Sequence, residues 1–97
     1  MSRKVSRSLN KVISEVVRQE FSGANIQTVL VREDVDDDGD DVLFITVVFD
    51  SAKNIDASKA VGLARHLRPA FEKRHEERFP IISYRSAADH KRLSEAA

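Results

Sequence analysis

The pattern of apolar and polar positions is clearest at Val42–Phe49, where eight consecutive residues carry no charge and aspartates flank the run on both sides. The run is rich in β-branched and aromatic residues and is short for a helix, so it predicts a β-strand. Its alternate positions form two faces, which are Leu43, Ile45, Val47 and Phe49 on one side and Val42, Phe44, Thr46 and Val48 on the other. Because both faces are largely apolar, we expect the strand at the centre of a sheet that is covered on both sides.

Three features are predicted before this strand. Apolar residues recur at helical spacing over Val5–Phe21, which predicts an amphipathic helix with Ser2 as its cap. Residues Asn25–Arg32 predict a strand. Its faces are Ile26, Thr28 and Leu30 on one side and Gln27, Val29 and Val31 on the other. The segment Glu33–Asp41 has seven acids among nine residues and one glycine, which favours a hairpin loop between two antiparallel strands.

A long helix is predicted after the central strand. Residues Ala57–Arg78 show apolar positions at helical spacing, but Gly62 and Pro69 interrupt them. Proline removes one backbone hydrogen bond and disfavours helical geometry at the residue before it. We therefore expect a bend or a break between Lys59 and Ala70.

The end of the chain completes the predicted fold. Pro80–Arg85 predicts a third strand, and Ala87–Ala97 predicts a short helix. The long helix lies between the second and third strands, so these strands should be parallel with a right-handed crossover. The expected architecture is one α+β domain over residues 1–97, in the order helix, strand, strand, broken helix, strand and short helix. Its three-stranded mixed sheet is expected to be packed on one face by helices.

Composition narrows the classes of function. The 97 residues include 33% charged residues with a formal net charge of zero, which does not match the basic surface of most nucleic-acid-binding domains. The chain has no cysteine, which excludes disulfides and metal sites with cysteine ligands. We see no apolar run of membrane-spanning length and no secretory signal, so we expect no membrane association and a soluble, cytoplasmic protein.

Several short stretches follow the order found in a known family. They are Lys4-Val5, Ile13-Ser14-Glu15-Val16-Val17, Ala60-Val61-Gly62, Leu63-Ala64-Arg65-His66-Leu67, and Arg78-Phe79-Pro80 leading into Ile81-Ile82-Ser83-Tyr84. This order resembles ribosome-binding factor A, a family whose fold is a variant of the type II KH domain. The resemblance spans most of the chain. It implies a KH type II-like fold, with Ala60-Val61-Gly62 at a helix kink, and binding to small-subunit ribosomal RNA during maturation.

The acidic loop matches the first half of a calcium-binding loop. Asp34, Asp36 and Asp38 offer oxygen ligands at alternate positions, and Gly39 lies at the tight turn. The match then ends, because Ile45 occupies the position of the final glutamate ligand. We predict no metal site and no cofactor, and we interpret the loop as a solvated hairpin turn.

The three histidines do not predict catalysis. His66 and His75 are nine residues apart, which is not the spacing of a simple pair of metal ligands, and His90 lies in the predicted terminal helix. We recognise no Ser-His-Asp grouping and no phosphate-binding glycine loop. An enzyme is therefore not expected.

Basic residues on the two main helices form one candidate binding surface. RNA phosphates would be contacted by Lys4, Arg7, Lys11, Arg65 and Arg68. Acids such as Glu72 and Glu76 interrupt this set. The favoured interpretation is therefore a mixed, solvated face.

The outer face of the sheet is the second candidate surface. If helices cover only the inner face, Val42, Phe44 and Val48 would be exposed and would contact a partner, either a second copy in a homodimer or an unlike protein. The alternative is that the terminal helix hides this face. Protein–protein contact is the favoured hypothesis because the apolar face is the stronger signal, and RNA binding is the alternative.

Overall fold

The computed structural model describes residues 6–22, 25–50 and 56–96, with side chains up to residue 93. Its elements are α1 (Arg7–Glu20), β1 (Ile26–Val35), β2 (Asp41–Phe49), α2 (Ala57–Lys73), β3 (Phe79–Ser86) and α3 (Ala87–Ala96). The strand order is β1-β2-β3, with β1 antiparallel and β3 parallel to β2. The α+β class, the mixed sheet and the central position of β2 are confirmed. The prediction that Ser2 caps the first helix is wrong, because Ser6 is the cap of α1, and Lys4 lies outside the described residues.

The core lies between the inner face of β2 and the two main helices. On that face Leu43, Ile45, Val47 and Phe49 are each at most 1% exposed. The helices bury Leu9, Ile13 and Val17 from α1, and Leu63, Leu67 and Phe71 from α2. These residues recur every four positions, so each helix turns one apolar stripe toward the sheet. Full burial of one such side chain contributes roughly 1.5–3 kcal/mol to folding.

Both ends of α1 are held by local contacts. At its start Ser6 is the cap, because the Ser6 Oγ accepts a hydrogen bond from the backbone N–H of Leu9 at 3.0 Å. After its last turn the ring of Phe21 enters the core. Its centroid lies 5.4 Å from that of Phe49 and 5.9 Å from that of Tyr84, both edge-on. These ring contacts fix the end of α1 against the sheet.

The helix α2 runs without a break from Ala57 to Lys73, through both Gly62 and Pro69. The expectation of a broken helix, in the sense of two separate helices, is therefore wrong. Pro69 and Arg65, the residue one turn earlier, are both exposed, so the backbone hydrogen bond that proline removes lies on the solvent side of α2. Leu67 and Phe71, on either side of Pro69, are buried in the core and hold both halves in place.

The helix α2 ends five residues before the predicted end at Arg78. The N–H of His75 donates to the carbonyl of Glu72 at 3.1 Å, and the N–H of Glu76 donates to the carbonyl of Phe71 at 2.8 Å. This pair of bonds is the Schellman pattern of a helix end. It requires a left-handed residue, and His75 adopts φ +56°.

The strand β1 departs from its predicted alternation at one point. Its register with β2 shifts between Ile26 and Thr28. A bulge adds one residue to one strand and so moves the preceding residue to the other face. As a result Ile26 packs against the core with Val29 and Val31, whereas Thr28 and Leu30 lie on the outer face.

The helix α3 packs against β3 and β2. It begins directly from the sheet, where the Oγ of Ser86 accepts a hydrogen bond from the N–H of Asp89 at 3.1 Å. Val48 belongs to the outer face and is 0% exposed, so we place α3 over this end of that face. The expectation that helices pack on one face only is therefore wrong, and the alternative of a covering terminal helix is realised for part of the outer face.

Candidate protein-interaction surface

A polar pair divides the outer face of the sheet. Thr46 Oγ1 and Ser83 Oγ lie 3.3 Å apart at its middle, on β2 and β3. On one side of this pair α3 covers Val48. On the other side the face carries large side chains that reach solvent. We call this part the open half, and it consists of Leu30, Phe44, Phe79 and Ile81.

The residues of the open half are neighbours through the strand register. Ile81 pairs with Phe44 across β3 and β2, and Leu30 lies diagonal to Phe44 on β1. Phe79 is 67% exposed and Leu30 is 42% exposed, whereas Phe44 and Ile81 are half-buried. Adjacent large apolar side chains on one surface indicate an interaction site more strongly than single ones do.

Arg32 partly covers the ring of Phe44. The guanidinium carbon of Arg32 lies 5.1 Å from the ring centroid, and the same side chain pairs with Asp34 at 3.3 Å. The side chain of Arg32 is 70% exposed, and ion pairs at such positions contribute little to stability. A partner's side chain can therefore displace Arg32 at small cost and reach Phe44.

Two of the three predicted contact residues expose almost no surface. Val42 is 2% exposed and Val48 is 0% exposed, while Phe44 remains half-exposed. The two valines are covered within the chain itself, because Val42 lies between Asp34 of β1 and Phe79 of β3, and α3 packs over the end of β2 that carries Val48. Their predicted role as contact residues is corrected accordingly.

Phe79 and Ile81 were not predicted as contact residues. The sequence interpretation placed Phe79 at the end of the long helix, whereas β3 begins at this residue. Alternation along β3 puts Phe79, Ile81, Ser83 and Arg85 on the outer face. This period of two was the available signal, but it required the true end of α2.

A wide cleft of about 1490 Å³ adjoins the open half, where the hairpin loop meets the turn between α2 and β3. We call it the acidic cleft. Its carboxylates are Glu33, Asp34, Asp36, Asp40, Asp41, Glu76 and Glu77. Phe79 and Ile81 also line it, so the acidic cleft and the open half are parts of one continuous surface.

Arg78 joins the two walls of the acidic cleft. Its Nη1 donates to the Glu33 carboxylate at 3.1 Å, and its Nη2 and Nε donate to the Glu76 carboxylate at 2.7 and 2.9 Å. The hydrogen bond to Glu76 is the main cause that raises the pKa of Arg78, and Glu33 adds to it. Arg78 therefore links β1 to the turn after α2, and its positive charge is already paired with the carboxylates of Glu33 and Glu76.

The hairpin loop is shorter than the predicted Glu33–Asp41, because β1 continues to Val35 and β2 begins at Asp41, and it is organised around Asp36. Its Oδ1 accepts hydrogen bonds from the N–H groups of Asp38 and Asp40, both at 2.9 Å. Gly39 adopts φ +85°, a conformation that glycine tolerates best, and its N–H donates to the Asp36 carbonyl. In the described part of the chain, no three acidic or histidine side chains are placed to hold a metal ion.

The two main helices meet where Glu20 Oε1 lies 3.3 Å from His66 Nε2. We use these two residues to mark the seam between α1 and α2. Four of the predicted phosphate-binding residues lie in the described part of the chain, and all four are exposed: Arg7, Lys11, Arg65 and Arg68. Their positions around each helix decide whether they form one surface.

Both pairs point away from the sheet. At about 100° per residue, Arg7 and Lys11 lie about 120° and 160° around α1 from the buried Ile13. In the same way, Arg65 and Arg68 lie about 160° and 100° around α2 from the buried Leu67. All four are therefore on the solvent side of the two helices. Lys4 lies outside the described residues.

The three histidines lie on different elements: His66 on α2, His75 in the turn after α2, and His90 on α3.

None of the helices in the described part of the chain combines the length and apolar character needed to cross a membrane. Comparisons with protein-family models, with curated proteins and with solved structures found no match. A function therefore has to be proposed from the open half and the acidic cleft.

Proposed function

We propose that this chain is a cytoplasmic, non-enzymatic interaction module that binds a partner protein through the open half of its sheet. The observation that carries the proposal is the exposure of Phe79 and Leu30, 67% and 42%, on the same face as the half-buried Phe44. Burial of these side chains by a partner is favourable because it removes apolar area from water. Exposed apolar patches beside polar surface are typical of protein-binding sites.

RNA binding by the two main helices is the competing proposal. Its support is the exposure of Arg7, Lys11, Arg65 and Arg68. The acidic cleft makes it the weaker one, since carboxylates repel phosphate. Filter binding at low salt tests it. RNA retained with a salt slope that flattens by about one for each lost arginine or lysine contact would favour RNA over protein.

The element order supports a further part of the proposal, that the fold is a variant of the type II KH domain similar to ribosome-binding factor A. In such a fold the connection from β2 through α2 to β3 is right-handed, as in nearly all parallel crossovers. A bend in α2 at Ala60-Val61-Gly62, measured by residual dipolar couplings along the helix, would strengthen this likeness. A straight helix there would leave only the element order in its favour.

Site-specific photo-crosslinking tests the interaction module. A photoreactive phenylalanine analogue is placed at position 79 and, as a matched control, at position 61. Val61 is 86% exposed but lies on α2, away from the sheet. Irradiation in a native lysate treated with nuclease should give protein adducts at position 79 and few at position 61. Equal labelling at both positions, or no protein adduct at position 79, would overturn the proposal.

Sedimentation velocity then separates a second copy from an unlike partner. Self-association that is lost in Phe79→Lys but kept in Val61→Lys would identify a homodimer. A monomer at high micromolar concentration would leave an unlike protein as the partner. Both outcomes leave the open half as the contact surface.

A further inference from the structure

The open half and the acidic cleft offer a partner two kinds of contact side by side. Phe79 lies at their junction, on the outer face of β3 and in the wall of the acidic cleft. A second, smaller cleft between α2 and the start of β3 also includes Phe79. The exposed ring therefore has open space on more than one side, which suits an anchor for a partner's apolar side chain.

The charge of the acidic cleft is strongly one-sided. Its lining holds seven carboxylates and two guanidinium groups, a formal charge of −5 with His75 neutral. The guanidinium group of Arg78 is bound to Glu33 and Glu76, so it is not free to attract an anion. The whole sequence has net charge zero, so the other residues carry +5. The molecule therefore has one strongly acidic end although its net charge is zero.

We propose that the acidic cleft and the open half together bind a cationic segment of an unlike protein, in which lysine or arginine alternates with large apolar residues. This inference rests on the proposed function and adds the chemistry of the partner. The apolar residues pack on Phe79 and Leu30, and on the ring of Phe44 once Arg32 is displaced from it. The cationic residues face Asp40 and Asp41, and complementary charge speeds association and excludes acidic competitors.

A small molecule or a second copy fits this surface less well. The acidic cleft is wider than most small-molecule pockets, which enclose their ligands. Of the chain's two basic helices, α1 has no exposed large apolar side chain and α2 has only Val61, which is too little to fill the open half. On α3 the exposed Leu93 lies beside Arg92, which is paired with Asp89. A contact between the acidic end of one copy and a basic helix of another is a head-to-tail contact. It would leave the basic helices of the first copy and the acidic end of the second free to bind further copies, so it would not form a closed dimer.

Binding of labelled peptides to the purified full-length chain tests the proposal. The first peptide alternates lysine and leucine with serine spacers. Two control peptides replace lysine with glutamate, or leucine with serine. We expect saturable binding of the first peptide by fluorescence anisotropy at physiological salt, where screening acts beyond about 8 Å. The glutamate peptide should not bind, and the serine peptide should bind at least about tenfold more weakly, as expected for the loss of apolar anchors.

Protein variants locate the contact. Asp40→Asn with Asp41→Asn should weaken binding of the first peptide about tenfold, whereas Asp37→Asn with Asp38→Asn should change it less. The second pair removes the same charge from the same loop but lies outside the lining of the acidic cleft. Phe79→Ser should weaken binding about tenfold, and Val61→Ser should not. Thermal melts of each variant exclude unfolding as the cause.

The possible outcomes separate this inference from the proposed function. Equal binding of the leucine and serine peptides would overturn the inference, because charge alone would then explain the attraction. Equal loss in the two aspartate pairs would overturn it as well. If the peptides fail but position 79 still gives protein adducts, the interaction module stands and its partner is not cationic. If the peptides do not bind and position 79 gives no protein adduct, both this inference and the proposed interaction module are wrong.

Discussion

Tyr84 is the side chain that joins the sheet to α2. Its hydroxyl donates a hydrogen bond to the carbonyl of Ala60 at 2.8 Å, and its ring packs against Phe21 and Phe49. Burial, with a smaller effect from the negative charge of Glu20, raises the pKa of Tyr84 to about 12. Ionisation would remove the proton that this hydrogen bond needs, so the folded state resists it.

A first prediction follows for alkaline pH. Unfolded tyrosine ionises near pH 10, about two pH units below the folded pKa of Tyr84. Between these values the unfolded state binds fewer protons, so the free energy of unfolding falls as pH rises. Tyr84 is the only tyrosine and the chain has no tryptophan, so tyrosinate absorbance reports this one group. We expect a midpoint well above that of the denatured chain, and a coincident midpoint would contradict the burial of the Tyr84 hydroxyl in the folded state.

His75 occupies a position at which glycine is usual. Its φ of +56° lies in the left-handed region, which costs a residue with a Cβ roughly 1–2 kcal/mol. We predict that His75→Gly raises the free energy of unfolding by about 1 kcal/mol, measured by urea denaturation. His75→Ala is the matched control, because alanine keeps the Cβ. If glycine and alanine give the same stability, backbone strain is not the cause of the difference.

At the scale of elements, the apolar pattern decides most of the fold. Continuous apolar residues in β2 and the four-residue spacing in α1 and α2 predict the central strand, the inner core and the mixed sheet. The end of α2 was not predictable, because its Schellman motif uses His75 where glycine would give a signal. The bulge at Ile26 and the packing of α3 depend on tertiary contacts. The exposure of Phe79 also depends on tertiary contacts, so it could not be predicted from its neighbours in the sequence.

Pro69 gives a prediction at the scale of a single helix. It lies in the interior of α2, where proline is about 3 kcal/mol less favourable than alanine in a helix. We expect Pro69→Ala to raise the free energy of unfolding by up to ~3 kcal/mol, since the exposed site places no neighbour in the way. Arg68→Ala is an exposed control that should change stability by less than about 0.5 kcal/mol. A loss of stability in Pro69→Ala would show that the ring itself supports the helix.

At the scale of the whole molecule, charge is segregated rather than balanced. The acidic cleft carries a formal charge of −5 within a chain whose net charge is zero. Exposed basic residues lie on α1 and α2, on the sides that face away from the buried stripes of these helices. Such a distribution orients the molecule as it approaches a charged partner. It also places repulsion among the carboxylates at one end of the fold, which salt should relieve.

The last prediction concerns that repulsion and the calcium-like half-motif in the hairpin loop. We expect the melting temperature to rise with sodium chloride, because screening weakens repulsion between exposed carboxylates. Calcium at matched ionic strength should add little, since Asp36 already accepts the N–H groups of Asp38 and Asp40 and Ile45 replaces the final ligand. A ligand that binds only the folded state must raise its stability. A further rise of many degrees with calcium, abolished by Asp36→Asn with Asp38→Asn, would therefore establish a specific site and overturn the interpretation of the loop as a solvated turn.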